Sequence, residues 1–204
     1  VEELLEEKEL LLKEIHHRVK NDFHLINSFL ALQGSKSDKP EVREALSQAR
    51  GRVGVMTQIY HALHRQSQYS VVDLSQLVRE VSRGFAGGTA GGGLTLHTEL
   101  EEVSASSKTS LSLGLILNES LTNIRKYAVS VAKETVVSVT LARAGAGAFT
   151  LTVRDDGPGF PKEVLQGNTG FGLSVAESLA QQHHGRLELD NDGGGVVRVT
   201  MRTE

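Results

Sequence analysis

The chain has 204 residues and a formal net charge of −3 that is spread along the sequence, with no basic run and few aromatic residues, which argues against nucleic-acid binding. It contains no cysteine, so disulfides, thiol redox pairs and thiolate metal sites are excluded. No apolar stretch approaches the roughly 20 residues that a membrane-spanning helix needs, and no signal-peptide pattern opens the chain, so we expect a cytoplasmic protein.

A long amphipathic helix is predicted from Val1 to about Gln33, because apolar residues recur at steps of three and four. A seven-residue repeat within it favours a seam of the coiled-coil kind. Since the sequence opens inside this pattern, we expect it to be a fragment of a longer chain. The stripe comprises Leu12, Ile15, Val19, Phe23, Ile26 and Leu30, and the repeat comprises Leu5, Leu12, Val19 and Ile26.

Two adjacent histidines lie near the middle of this helix, in the sequence HHRVKN. At about 100° per residue, His17 falls opposite the apolar stripe and His16 at its edge, so we expect His17 to be exposed and His16 to be partly packed. Glu14 and Asn21 share the face of His17. An exposed imidazole is partly neutral at pH 7, and its neutral nitrogen can attack phosphorus. Taken alone, however, an exposed histidine is more often an ordinary surface residue.

A second helix is predicted after a turn at residues 34–39, with Pro40 as its first residue and an apolar stripe from Val42 to Leu63. Two helices joined by a short turn form an antiparallel hairpin, and two hairpins form a four-helix bundle, so we expect dimerisation. Packing of the hairpin against the rest of the chain is the alternative. The polar residues 66–70 read as a linker, which places a helical hairpin domain at 1–68 and a second domain at 70–204.

Helices and strands are mixed in the second domain. Asp73 and Gln76 have the spacing of a capping box at the start of one helix, and Gly185 is the predicted stop of another. A glycine-rich stretch at 86–93 lacks the ending of a phosphate-binding loop, so we interpret it as a flexible connection. The pattern predicts an α+β protein in which the hairpin is followed by a two-layer α/β sandwich. The predicted helices span 73–85, 109–128 and 170–184, and the strands span 94–100, 134–142, 149–154, 186–190 and 196–202.

Three polar residues line up in the helix 109–128, because Glu119, Asn123 and Lys126 stand at i, i+4 and i+7 on the face opposite its apolar stripe. A carboxylate, an amide and an ammonium on one face suit a site for magnesium and polyphosphate, since oxygen ligands bind the hard cation and the ammonium binds phosphate. The alternative is a solvated surface, which this row on its own favours. The stripe comprises Leu113, Leu117, Leu121, Ile124 and Ala128.

Two glycine-containing segments follow along the chain. The segment Asp155-Asp156-Gly157-Pro158-Gly159 comes after a strand, and its glycines permit a tight turn with room for a flat ligand beside a carboxylate that can accept a hydrogen bond from an exocyclic amine. It is also a good turn sequence. The segment Gly170-Phe171-Gly172 opens a helix, where bare amides and the helix dipole favour an anion. Each segment is weak evidence alone, whereas the polar row and both segments in this order are strong evidence together.

The HHRVKN helix and the three later motifs together resemble sensor histidine kinases, of the HisKA_2- or HWE-like subclass that carries HRxKN after its acceptor histidine. The later motifs resemble the N, G1 and G2 boxes of the Bergerat ATP-binding fold, which histidine kinases share with gyrase-like ATPases, Hsp90 and MutL. The resemblance covers nearly the whole chain. It implies that the second domain is a Bergerat-type α/β sandwich that binds ATP and Mg²⁺.

The resemblance also implies roles for particular residues. His17 would be the phosphoacceptor, and Arg18 stands where better-known histidine kinases place an acidic base, so Glu14 is a candidate proton acceptor by proximity. Glu119 and Asn123 match the ExxxN pair, with Asn123 as the magnesium ligand. In the remaining positions, the end of the N box is matched by Lys126 and Tyr127, the adenine-binding aspartate by Asp155, and the box glycines by Gly157, Gly159, Gly170 and Gly172.

The function that this resemblance implies is that of a histidine autokinase in a two-component system, which transfers the γ-phosphoryl group of ATP to His17 and then to an aspartate on the receiver domain of a response regulator. A homodimer through the hairpin and an upstream sensor domain are implied as well. Two alternatives remain. One is an ATPase of the gyrase or Hsp90 type, in which Glu119 activates water, and the HHRVKN hairpin argues against it. The other is a non-catalytic phosphotransfer scaffold, and the intact Asn123 and Asp155 argue against it.

Overall fold

The computed structural model describes residues 2–65, 71–87, 93–129 and 134–204, except for the side chains of residues 2–13, 16–17, 58–59, 61–65 and 87. The chain divides into two compact units, Val1–Arg65 and Gln66–Glu204. The stretch predicted as a linker and most of the glycine-rich stretch lie outside the described residues. None of the helices in the described part of the chain combines the length and apolar character that a bilayer crossing requires.

The first unit is a hairpin of two helices, as the sequence predicts. Helix α1 spans Glu2–Lys36, about one turn longer than predicted, and α2 spans Pro40–Arg65. Pro40 is the first residue of α2 because a proline at this position has no amide hydrogen to leave unpaired. The two helices pack along each other, and the rings of Phe23 and Tyr60 meet edge to face with their centroids 6.0 Å apart.

Helix α1 has apolar residues on two faces, and α2 covers only one of them. Ile15 and Ile26, which the sequence places in a single stripe with Phe23, are 51% and 45% exposed. A single hairpin thus buries only part of the stripe, because one neighbouring helix covers only part of the circumference of another. The half-buried residues on the covered side are Val19, Lys20, Phe23, Asn27, Leu30, Ala31 and Gly34. Among the described side chains of α1, the exposed large apolar residues, which we call the uncovered face, are Ile15, Leu25, Ile26, Phe29 and Leu32.

The second unit is an α/β sandwich with a five-stranded sheet in the order β2-β4-β5-β7-β6. Strand β2 runs parallel to β4, and the other neighbours are antiparallel. Alternate residues of the central strands are buried, so one face of the sheet is covered, and α3, α4 and α6 contact the sheet there. The elements in chain order are β1 Val71–Asp73, α3 Leu74–Gly87, β2 Leu94–Leu100, β3 Ser104–Ser106, α4 Ser107–Tyr127, β4 Thr135–Arg143, β5 Ala148–Asp155, α5 Lys162–Leu165, α6 Phe171–Gln182, β6 Arg186–Asn191 and β7 Gly195–Arg202.

The long elements agree with the sequence prediction, and the differences lie at short elements and at ends. Asp73 caps α3 as predicted, since its Oδ1 accepts from the amides of Ser75 at 2.8 Å and Gln76 at 3.3 Å. The sequence missed the pair β1 and β3, which are three residues each and show no periodicity. It also placed the stop of α6 at Gly185, whereas the helix ends at Gln182 and the left-handed residue is His184, with φ 51°.

His183, directly after α6, joins that helix to the start of α4 through a buried hydrogen-bond network. The residue is 4% exposed. Its Nε2 lies 2.9 Å from Ser112 Oγ and its Nδ1 lies 3.2 Å from Thr109 Oγ1. Because the Thr109 hydroxyl donates to the carbonyl of Glu204, its oxygen accepts from Nδ1, so we assign the neutral tautomer that carries the proton there. Burial lowers the pKa of His183, and the positive charge of Lys108 lowers it further.

Acid is therefore expected to destabilise the second unit through His183. Below the ordinary histidine pKa of about 6.5, the unfolded chain takes up a proton that the folded chain does not, so the free energy of unfolding falls by up to about 1.4 kcal/mol per pH unit. Above that pH both states are neutral and this contribution is constant. Urea unfolding between pH 5.5 and 7.5 should show a smaller fall for His183→Gln than for the parent. The exposed neighbour provides a control, His184→Asn, which should keep the parent slope, and an equal slope in His183→Gln would contradict the assignment.

Candidate active site

The row Glu119, Asn123 and Lys126 runs from the interior to the surface of α4. Glu119 is 6% exposed, Asn123 is half-buried and Lys126 is exposed. A solvated surface, the alternative that the sequence left open, therefore does not describe Glu119. The predicted apolar stripe on the opposite side is buried at Leu113, Leu117, Leu121 and Ile124, whereas Ala128 is half-buried and forms the C-cap.

The last turn of α4 presents cationic and aromatic groups. The ammonium of Lys126 lies 5.2 Å from the centre of the Tyr127 ring, and Tyr127 is 64% exposed. Arg125, which precedes Lys126 in the sequence, points toward α3 instead. Its Nη2 donates to the carbonyl of Phe85 at 2.8 Å, and its guanidinium lies 4.7 Å from the Phe85 ring centre. Arg125 thus ties the end of α3 to this turn and holds Lys126 and Tyr127 on the accessible side.

Asp155 is the last residue of β5 and is 7% exposed. One of its oxygens, Oδ1, accepts from the amide of Gly157 at 2.8 Å and from the amide of Gly195 at 3.4 Å. Backbone donors thus fix the plane of the carboxylate through Oδ1. Oδ2 remains an acceptor for a ligand, and a β-carbon on Gly195 would lie only 2.8 Å from it. The arrangement suits recognition of a donor such as an exocyclic amine.

The two glycines after Asp155 are required for different reasons. A β-carbon on Gly157 would lie 2.5 Å from the β-carbon of Ala128, so the loop after β5 comes into close contact with the end of α4. Gly159 has φ 75°, a left-handed conformation that other residues rarely adopt. The first of these contacts brings the predicted polar row and the predicted Asp155 segment together in one place.

Gly170 and Gly172 lie at the start of α6, as predicted. Gly170 is the N-cap, and Gly172 is the second residue of the helix. The helix packs against α4, and a β-carbon on Gly170 would meet no atom within 4 Å, so this helix start faces open space. Phe171 between the glycines is 72% exposed. Amides at such a helix start suit the binding of an anion.

The turn between β6 and β7 also belongs to this site. The sequence predicts the two strands that flank it, but not its contact with the Asp155 segment. A side chain on Gly194 would collide with the carbonyl of Asp155, and Gly195 supplies the amide described above. Asn191 holds the loop after β5 through both atoms of its carboxamide, since Phe160 N donates to Oδ1 at 2.7 Å and Nδ2 donates to Phe160 O at 2.9 Å. The available signal was the run of three glycines at 193–195, which is longer than a two-residue hairpin turn needs.

The acceptor candidate lies in the other unit. Helix α1 is continuous across His16 and His17, but both side chains lie outside the described residues, so the predicted difference in their exposure stays a prediction. Of the described residues on the helical face of position 17, Glu14, Asn21 and His24 are exposed, whereas Lys20 is half-buried. Glu14 Oε1 accepts from Arg18 Nε at 3.0 Å, one helical turn away.

Comparison with known proteins gives two family matches. Residues 14–86 match the histidine kinase family, and residues 108–204 match the family of histidine kinase-, DNA gyrase B- and HSP90-like ATPases. The histidine kinase domain of the blue-light-activated histidine kinase EL346 from Erythrobacter litoralis has the same fold, with a TM-score of 0.70 and 22% identity over 94% of this chain and 90% of that chain.

Individual histidine kinases are also similar to this chain in sequence. Blue-light-activated histidine kinase 2 from Erythrobacter litoralis is 23% identical over 191 residues, which is 91% of this chain and 55% of the relative. The sensor histidine kinase PdtaS from Mycolicibacterium smegmatis is 27% identical over 200 residues, which is 96% of this chain and 40% of the relative. The chain thus spans about half the length of these relatives. With a histidine kinase match over its hairpin and an ATPase match over its sandwich, the chain belongs to the histidine kinase family.

Proposed function

We propose that the chain is the ATP-dependent kinase core of a two-component system, in which the γ-phosphoryl group of ATP passes to His17 and then to an aspartate on a response regulator. The observation that carries this proposal is the buried carboxylate of Asp155, held by backbone amides through one oxygen and available through the other. It lies in a unit that belongs to an ATPase family, on the same chain as the HHRVKN helix. Since ATP is the phosphoryl donor, the cytoplasm is the compartment we propose.

The residues of the sandwich suit the three parts of ATP. Oδ2 of Asp155 would accept from the exocyclic amine of adenine, which only an acceptor can recognise. Lys126 and Tyr127 are exposed at the end of α4, where a cation would pair with phosphate oxygens. The open start of α6, with Gly170 and Gly172, would hold the phosphates through backbone amides. Gly157 and Gly159 shape the loop on the base side of the site.

Magnesium would be held by Asn123 together with phosphate oxygens and water. Within the described residues, no group of three or more His, Cys, Asp or Glu side chains could hold a metal by itself. The half-buried amide oxygen of Asn123 is a hard ligand of the type that Mg²⁺ takes, and Mg²⁺ commonly binds with few protein ligands and several waters. When bound, the ion neutralises charge on the phosphates. Glu119, one turn before Asn123, lies deeper in the protein.

The chemistry at His17 is nucleophilic attack on phosphorus. A neutral ring nitrogen forms a bond to the γ-phosphorus, the bond to the oxygen that bridges to the β-phosphate breaks, and ADP leaves with that oxygen. The phosphorylated ring then loses the proton of its other nitrogen to a base. We propose Glu14, which lies on the same helical face, as that base. The ion pair with Arg18 orients this carboxylate but competes for its oxygens.

Incubation of the protein with γ-labelled ATP and Mg²⁺ tests this function. Label should appear on the protein and be lost in acid but kept in base, because a phosphorus–nitrogen bond is labile in acid. An added receiver domain should take up the label. Free phosphate without labelled protein would instead indicate an ATPase, a function that the buried Glu119 near the phosphate side also permits. If Mg-ATP does not bind in a titration, both enzymatic functions are excluded and the protein would be a non-catalytic phosphotransfer scaffold.

We propose that the hairpin forms a homodimer through the uncovered face of α1. On this face Leu25 and Phe29 are 70% and 59% exposed. Such a cluster of large apolar side chains in water is unfavourable, and two hairpins that bury it against each other form a four-helix bundle.

Phe29→Asp is therefore expected to dissociate the dimer. Each copy loses about 2 kcal/mol of apolar burial, so the two copies together raise the dissociation constant by about a thousand-fold. Light scattering at tens of micromolar measures the change. His24→Asp places the same charge on the exposed polar face, about 140° around the helix from Phe29, and should remain dimeric. A parent protein that is monomeric at this concentration would contradict the proposed interface.

A further inference from the structure

The loop that follows β5 is held at both of its ends by the turn between β6 and β7. At its start, Asp155 accepts from the amide of Gly195. At its end, Phe160 exchanges two hydrogen bonds with the Asn191 side chain, at 2.7 Å to Oδ1 and at 2.9 Å from Nδ2. Residues 156–159 lie between these two anchors.

The second anchor fits closely against the loop. A β-carbon on Gly159 would lie 2.6 Å from Asn191 Oδ1, so the glycine backbone passes directly beside the carboxamide. Gly159 is also in the left-handed conformation, with φ 75°. In the conformation that Gly159 permits, the backbone N–H and C=O of Phe160 both face the carboxamide of Asn191. The Asn191 side chain therefore stabilises this conformation of the loop.

We propose that Asn191 is a positioning residue of the nucleotide site, which fixes the loop after β5 in the form that recognises the base. This inference rests on the proposed function, since it assumes that Asp155 binds adenine. Asn191 does not touch the carboxylate. It acts by holding Phe160, so that residues 156–159 are ordered before the ligand arrives and binding does not have to order them.

The physical basis is the cost of ordering a short segment. Fixing the backbone of one residue opposes folding or binding by an amount comparable to one hydrogen bond. A loop anchored only at Asp155 would sample other conformations, in which Gly157 N no longer donates to Oδ1 and the plane of the carboxylate is less well defined. Recognition of the base is then weakened, whereas Lys126 and the start of α6, which we assign to the phosphates, keep their positions.

The test compares two nucleotides on the full chain: ATP, and purine riboside triphosphate, which lacks the exocyclic amine. The parent should bind ATP more tightly than the analogue. In Asn191→Ala the affinity for ATP should fall about five-fold, which corresponds to about 1 kcal/mol, as expected for two hydrogen bonds in contact with solvent. The affinity for the analogue should change less, so that the ratio of the two affinities falls. Asn191→Leu, which keeps the size of the side chain, should behave like Asn191→Ala.

A control variant lies in the same turn. Asp192 pairs with Arg154 at 2.9 Å, and the two hydrogen bonds of Phe160 described above are made by Asn191 instead. Asp192→Asn should keep the parent affinities for both nucleotides, and an equal loss there would overturn the assignment to Asn191. Unchanged affinities in Asn191→Ala, or a parallel loss of both nucleotides with a lower thermal midpoint, would also overturn it. A parent that binds neither nucleotide would instead contradict the proposed function itself.

Discussion

Replacing His17 by glutamine is expected to abolish the transfer of label from γ-labelled ATP to the protein. Glutamine keeps the size and polarity of the side chain but has no nucleophilic nitrogen, so the reaction loses its acceptor. ATP binding should remain at the parent level, because the nucleotide motifs lie in the other unit, residues Gln66–Glu204. Scintillation counting after gel separation measures the label, and we expect a fall to background.

Two other histidines of α1 are the controls for this result. His16 is the neighbour of the acceptor, and His24 is an exposed residue two turns further along the same helical face. His16→Gln and His24→Gln should both be labelled as the parent is. Label retained in His17→Gln but lost in His16→Gln would reverse the assignment of the acceptor.

Asp155→Asn is expected to weaken ATP binding by about a hundred-fold. Since Gly157 and Gly195 both donate to Oδ1, the amide of the variant would turn its oxygen toward these donors and its NH₂ group toward the ligand. A donor would then face the adenine amine, which is itself a donor. The loss of a hydrogen bond to a charged group and the unpaired donors together correspond to about 3 kcal/mol.

The adjacent aspartate is a matched control for this prediction. Asp156 Oδ1 accepts from the amide of Val136 at 2.8 Å, and the oxygen of an asparagine can accept the same bond. Asp156→Asn should therefore bind ATP nearly as the parent does, measured by calorimetric titration with Mg²⁺ present. If Asp155→Asn also binds like the parent, the carboxylate does not recognise the base and the ATP-binding assignment of this site is wrong.

Local patterns in the sequence were sufficient to predict the long elements and the location of the motifs. Strand β2 is observed at Leu94–Leu100, as predicted, and Pro40 begins α2. The stripe of α4 is buried at Leu113 and Leu117, since an apolar side chain every third or fourth residue can face the same neighbour. These properties depend on residues that are close in the sequence, which explains why a single sequence reveals them.

Other features depend on contacts between distant parts of the chain. Asn191 falls between the predicted strands 186–190 and 196–202, where no local pattern gives it a role, yet its partner Phe160 lies 31 residues away. The amide of Gly195 reaches Asp155 across 40 residues. No periodicity within either segment encodes such a pair, because it arises only when β5 and β7 become neighbours in the sheet.

The sequence by itself determined that the chain has a helical hairpin, an α/β sandwich and four motifs typical of histidine kinases, because helix and strand periods and turn residues act locally. The tertiary structure decided which faces are covered. It shows that Glu119 is buried and not part of a solvated row, and that α1 keeps an uncovered face with Phe29. Whether a face is buried depends on which other element packs against it, and that is a property of the folded chain.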